Sequence, residues 1–215
     1  YVHQAERIAA GNWLYLGKGP FWQPPFYPYF LGVLKALFPA SFFHVVRLVQ
    51  ALLGALVCGL TWWIGRHVFN EAVGFIAGIS VALCGTLVFF DGELLPASLA
   101  TFFNMISLVA LLQAWRQPTG RRFLGCGVAL GIAAIVVPSV LMFAALVPIG
   151  LLWKFSNRRG WMYTVVFLAG MALPIGLVAA RNHIIGGDSV LISYNGGINF
   201  YIGNNKNFLF YEANY

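Results

Sequence analysis

The sequence predicts an all-α polytopic membrane protein, and three observations carry that expectation. Of its 215 residues 60% are hydrophobic and 9% charged, whereas an ordinary soluble domain carries about 25% charge. Mean hydropathy is +0.79. Apolar runs of about 20 residues, the length that crosses ~30 Å of hydrocarbon, recur along the chain, and the connections between them alternate between Lys/Arg-rich and Lys/Arg-free. This composition excludes disorder and a coiled coil. It also excludes a nucleic-acid partner, because the 13 basic residues behind the net charge of +7 are scattered among apolar runs rather than gathered on one solvated face. Cys58, Cys84 and Cys126 lie within apolar runs and read as small buried hydrophobes, not as a disulfide framework.

Residues 1–41 read as the first external loop. Tyr1 to Ala10 has the pattern of a short amphipathic helix, and Pro20, Pro24, Pro25 and Pro28 forbid a spanning helix through the next stretch. Phe30 to Phe38 is apolar but too brief to span, so small interfacial helices are expected here. Residues 42–181 hold six expected spans, at about 43–65, 72–90, 94–115, 123–137, 140–153 and 161–180. The fourth and fifth come from Phe123 to Trp153, which as one rod would be about 46 Å long, too long for one straight span and short for two. Charge placement decides. Arg66, then Arg116, Arg121 and Arg122, then Lys154, Arg158 and Arg159 form three basic connections, and a hairpin at Pro138 puts all three on one side, as the positive-inside rule asks. Trp62, Trp63, Trp115, Trp153 and Trp161 cluster at the same, cytoplasmic ends. The opposite, external face then receives 1–41, 91–96, 138–139 and 181–215. Residues 182–215 begin an external loop expected to be ordered, with β-like runs such as Val190 to Tyr194. No signal peptide is recognisable, and the sequence reads as a fragment of a longer protein.

Six acidic residues make a short list. Asp91 and Glu93 stand out, because two carboxylates at an otherwise apolar helix-to-helix turn are costly beside a membrane. Capping of the following helix is one reading; coordination of Mg²⁺ or Mn²⁺, the one cofactor the residues suggest, is the other. Arg181, directly after the last span, either caps the final carbonyls or clamps a phosphate arriving from the lipid, with Arg47 contributing to the same patch. The histidines show no metal-ligand spacing, and no Walker loop or G-x-S-x-G motif occurs.

Four segments carry a family likeness: Gln23-Pro24-Pro25-Phe26-Tyr27-Pro28; Arg47-Leu48-Val49-Gln50; Phe89-Phe90-Asp91-Gly92-Glu93-Leu94-Leu95; and Arg181-Asn182 followed by Leu191 to Asn204. In these the chain resembles the bacterial membrane glycosyltransferases of the GT-C superfamily, glycosyltransferase family 39, relatives of protein O-mannosyltransferases and of the aminoarabinose transferase acting on lipid A. The resemblance implies a GT-C-type transmembrane helix bundle with external juxtamembrane helices. It implies transfer of a sugar, usually with inversion, from a polyprenyl-phosphate donor to a protein, lipid or glycan acceptor. The setting would be the bacterial inner membrane, with the active face periplasmic. The family's principal base would fall before Tyr1. Asp91 and Glu93 match its second acidic motif, with Glu93 the firmer carry-over; Arg181 and Arg47 are the expected phosphate contacts. Tyr27, Asn195, Asn199 and Tyr201 would wall the sugar or acceptor pocket. One departure is Val137 before Pro138, where relatives often have Arg. The rival readings are a transporter or lipid flippase, and a non-catalytic assembly subunit.

Overall fold

Short polar residues start the helices at one end of the molecule, and proline and glycine divide the apolar runs between them. The computed structural model describes residues 1–155 and 157–205, and every regular element among them is a helix. In order these are α1 (Val2–Ala9), α2 (Phe26–Leu37), α3 (Phe42–Val68), α4 (Glu71–Ala82), α5 (Gly85–Gly92), α6 (Ala97–Arg116), α7 (Gly120–Val136), α8 (Val140–Ala144), α9 (Leu146–Lys154), α10 (Arg158–Ile184) and α11 (Gly196–Asn204). Asn70, Thr119 and Asn157 cap α4, α7 and α10 by accepting from the amides of Val73, Arg122 and Arg159. Each satisfies an amide that has no partner inside its helix.

Three helices, α3, α6 and α10, are long and apolar enough to cross a membrane. The expected span at 72–90 is instead two helices, α4 and α5, bent by 51°. The break falls at Leu83-Cys84, where Cys84 turns extended and Gly85, a weak helix former, follows. Counted as one, the bent pair makes a fourth span. The run from Phe123 to Trp153 divides at Val137, whose extended backbone (φ −144, ψ 110) is what a following proline imposes. Beyond it α8 and α9 continue as one apolar helix, Val140–Lys154, shorter than a full span.

Glycine sets the closest helix contacts. In α7, Gly127 and Gly131 lie against the Phe167 and Met171 carbonyls and Pro174 of α10, and Gly170 of α10 lies against Leu124. A Cβ at any of these would overlap the partner backbone, so the two helices pack at the short distance that small residues permit. Around that seam Phe123, Cys126, Leu130, Leu151 and Phe167 form one core. A second core, of Ala5, Tyr27, Leu31, Phe42, Val46, Leu99 and Val136, lies where α1 and α2 dock onto the main helices.

The three basic connections meet at one end. Arg116 donates to the His67 carbonyl; Lys154 donates to Trp115 O at 2.9 Å and stands over its ring; Tyr163 donates to Pro118 O at 3.2 Å. The β-like run at 190–194 forms no strand. Its carbonyls are engaged by a side chain, as the next subsection describes, instead of a neighbouring strand.

Candidate functional site

One face of α3 builds the site. Arg47, Gln50, Gly54 and Cys58 fall at helical spacing on it. Gln50 is fully buried; its Nε2 donates to Asp91 O (3.1 Å) and Glu93 O (2.6 Å), and its Oε1 accepts from the Tyr27 hydroxyl (2.9 Å). Arg47 Nε donates to Gly92 O at 3.1 Å. Three successive carbonyls at the end of α5, groups a helix terminus leaves without partners, are thus held by α3. Gly54 has a different part: a Cβ there would overlap the Asp91 carboxylate, so the missing side chain is the space Asp91 occupies.

Beside this turn a cavity of about 600 Å³ opens between α3, α4, α5 and α6. Its polar groups are Arg47, Asp91, Ser98 and Thr101, and most of the rest is apolar. The bend between α4 and α5 supplies Val81, Ala82, Leu87 and Val88 to its wall. Asp91 stands in the last turn of α5, where a carboxylate opposes the helix dipole. It does not cap α6, which begins after Pro96 with no side-chain cap. A carboxylate that violates its local preference and lines a cavity has the placement of a functional group. Among the described residues no ion pair neutralises it. Arg47 is exposed and retains its two Nη groups for a ligand.

Glu93 is exposed and does not line the cavity. Among the described residues Asp91 alone therefore brings a carboxylate to it. Among the described residues no cluster of three or more His, Cys, Asp or Glu side chains could hold an ion. A magnesium or manganese ion held by protein alone needs several oxygen ligands, more than the described side chains gather here; with Asp91 as one ligand, the others would come from phosphate and water.

Arg181 lies elsewhere. Its guanidinium donates to the carbonyls of Leu14 (3.1 Å), Tyr15 (2.8 Å) and Gly19 (2.9 Å) and stacks 4.2 Å from the centre of the Phe21 ring. The loop between α1 and α2 occupies it, and it does not line the cavity with Arg47. Tyr15 is in the left-handed region (φ 54), uncommon for a bulky residue, and its carbonyl is one that Arg181 holds. Asn182, fully buried, accepts from Phe21 N (3.0 Å) and donates to Val190 O (3.0 Å) and Ile192 O (3.1 Å). Phe21 O in turn accepts from Tyr194 N, and Trp22 meets Tyr194 edge-on at 4.6 Å. Arg181-Asn182 thus ties the first loop to the last described segment.

The expected pocket walls divide similarly. Tyr27 is wholly buried, its ring against Tyr1 and Phe30 and its hydroxyl on Gln50; burial pushes that hydroxyl's pKa up. Asn195 precedes α11 and accepts from Ser193 Oγ at 3.1 Å, while Asn199 and Tyr201 are exposed on α11. None of the four lines the cavity. The structure adds Gln50, Gly54 and Asn182. Gln50 carried a readable signal, a lone amide inside an apolar span; Gly54 among many membrane glycines carried none.

Two further findings bear on identity. A family model described as Dolichyl-phosphate-mannose-protein mannosyltransferase matches residues 22–182, a range that contains Gln50, the Asp91 turn and the Arg181-Asn182 pair. No curated protein and no solved structure matches the chain.

Proposed function

The chain belongs to the dolichyl-phosphate-mannose-protein mannosyltransferase family, and from that premise we propose how this membrane glycosyltransferase works: it takes its sugar from a polyprenyl-phosphate carrier on the external face of a bacterial inner membrane. The observation that supports this reading is the cavity among α3, α4, α5 and α6, apolar over most of its wall yet bearing Arg47 and Asp91. An isoprenoid tail suits the apolar lining, and a phosphate suits the Arg47 guanidinium, whose fork matches its oxygens.

The chemistry is a displacement at the anomeric carbon. An acceptor hydroxyl, on a protein, lipid or glycan, attacks C1; the bond from C1 to the phosphate oxygen breaks, and its electron pair leaves with the polyprenyl phosphate. The acceptor proton goes to a general base, and attack opposite the leaving phosphate inverts C1. Arg47 stabilises the negative charge that grows on the phosphate, an interaction strongest in the transition state. Asp91 accepts hydrogen bonds from sugar or acceptor hydroxyls and fixes their orientation. Glu93, exposed on the same turn, is open to an acceptor arriving from solvent. Tyr27 supports the Asp91 turn through Gln50, the Asn195, Asn199 and Tyr201 segment is open to an acceptor, and Arg181 holds the loop between α1 and α2. No step runs through a metal ion.

The test is sugar transfer from polyprenyl-phosphate donors by the full-length protein in liposomes. Asp91→Asn should lower kcat by about 100-fold, and Arg47→Ala should lower kcat/KM by a similar factor. Transfer at the wild-type rate in both variants would sink the assignment. Loss of transfer on adding a chelator, restored by Mg²⁺ or Mn²⁺, would return an ion to Asp91.

A further inference from the structure

Gln50 lines no cavity and meets no solvent, yet two of its three side-chain hydrogen bonds go to the turn that carries Asp91. Its amide N–H groups hold the carbonyls on both sides of Gly92, those of Asp91 and Glu93, and its carbonyl takes the hydroxyl of Tyr27 from α2. A buried amide that leaves a donor unmet in an apolar bundle is costly; here both N–H groups are used, and the acceptors are main-chain oxygens that admit nothing but a donor. One turn earlier Arg47 holds Gly92 O, and one turn later Gly54 leaves the space for the Asp91 carboxylate. Three points on α3 therefore fix the Asp91 backbone and limit where its side chain can lie.

We propose that Gln50 is a positioning residue for the transfer reaction: it sets the Asp91 carboxylate in the cavity and couples that carboxylate to the first external loop through Tyr27. The proposal rests on Asp91 being the working group of the cavity. A polar contact that merely glued helices together would bind α2 to α3 alone. Gln50 instead joins α2, α3 and the end of α5, and one of its two donated bonds holds the main chain of Asp91 itself. A shift of α2 on engaging an acceptor would reach Asp91 through one amide.

The experiment reads the carboxylate directly and separately from turnover. Full-length protein in nanodiscs is treated with a hydrophobic carbodiimide, and modification of Asp91 is followed by peptide mass spectrometry. Gln50→Met, of similar length but without a donor, should change the rate of Asp91 modification several-fold. It should also lower kcat by about 100-fold while the donor KM stays near the wild-type value, as a misplacement near 1 Å does. Cys126, buried in the other core, should stay as unreactive to maleimide as in wild type. Tyr27→Phe, which removes one oxygen, should move both readouts in the same direction by less. Unchanged Asp91 modification in Gln50→Met overturns the proposal. If that variant fails to fold and exposes Cys126, unchanged modification in Tyr27→Phe overturns it. A wild-type protein that transfers no sugar, while Gln50→Met still alters Asp91 modification, counts against the glycosyl-transfer reading and supports the role of Gln50.

Discussion

At the scale of single residues, the two arginines expected to share a phosphate have separate surroundings, and the difference is one of donors. Arg181 meets three loop carbonyls with its guanidinium and lies on Phe21, whereas Arg47 makes one bond to Gly92 O through Nε. Lysine at 181 keeps the charge but offers a single ammonium that does not span Leu14, Tyr15 and Gly19 together. Arg181→Lys should therefore loosen the first loop, with a cost of about 2 kcal/mol for lost hydrogen bonds to a charged group. Limited proteolysis should find new cleavage between residues 12 and 20; an unchanged cleavage pattern would refute the clamp. Asp91 was legible in the sequence because a carboxylate in an apolar run has few ordinary explanations. The partners of Arg181 were not legible, because main-chain carbonyls leave no trace in residue identity. Gln50 belongs to a segment that carries the family likeness, but its role depends on meeting residues 41 and 43 positions away, which no local pattern encodes.

At the scale of helices, the length of apolar runs and the placement of charge were the guides to the segments, and the helical run from Phe123 does break beside Pro138. The bend within 72–90 was not legible: the residues at the break, Leu83, Cys84 and Gly85, are as apolar as their neighbours, and the bend shows only once α5 packs on α3. That bend matters functionally, since residues on both of its sides line the cavity. The seam between α7 and α10 gives a sharper test of why glycine recurs in these helices. Gly127 faces the Phe167 carbonyl with no room for a Cβ, whereas Gly125, two residues away, has nothing within 4 Å of where a Cβ would stand. Gly127→Val should destabilise the protein by about 3 kcal/mol, the upper range for overpacking a tight interface. Gly125→Val should be close to neutral. Unfolding of the detergent-solubilised variants, followed by loss of monodispersity on heating, compares them directly. Equal midpoints would mean that the two helices can separate without penalty.

For the whole molecule, the two ends differ in how many cations stand beside short connections, and this bears on orientation. At one end Arg66, Arg116, Arg121, Arg122, Lys154, Arg158 and Arg159 lie in the terminal turns of helices that flank three short connections, with Glu71 pairing Arg66. At the other, four of the basic residues are engaged by the protein itself: Arg7 over Tyr15, Lys35 over Phe42, Arg47 on Gly92 O and Arg181 on the loop carbonyls. Cations beside short connections set the insertion bias, whereas those of long segments count for less, so the bias should follow the first group and keep that end in the cytoplasm. The cavity turn and the Arg181-Asn182 tie then face outward together, since α1, α2 and the Asp91 turn share one core with Val136 beside Pro138. The expected outcome is specific. In a variant without native cysteines, Lys18→Cys and Asp188→Cys should react with a membrane-impermeant maleimide on intact cells, and Arg121→Cys only after permeabilisation. The reverse pattern would turn the cavity's polar groups to the cytoplasm and require a donor presented there. Labelling of all three on intact cells would mean that the basic connections do not share one side, and the hairpin at Pro138 would then have to be replaced by a single crossing.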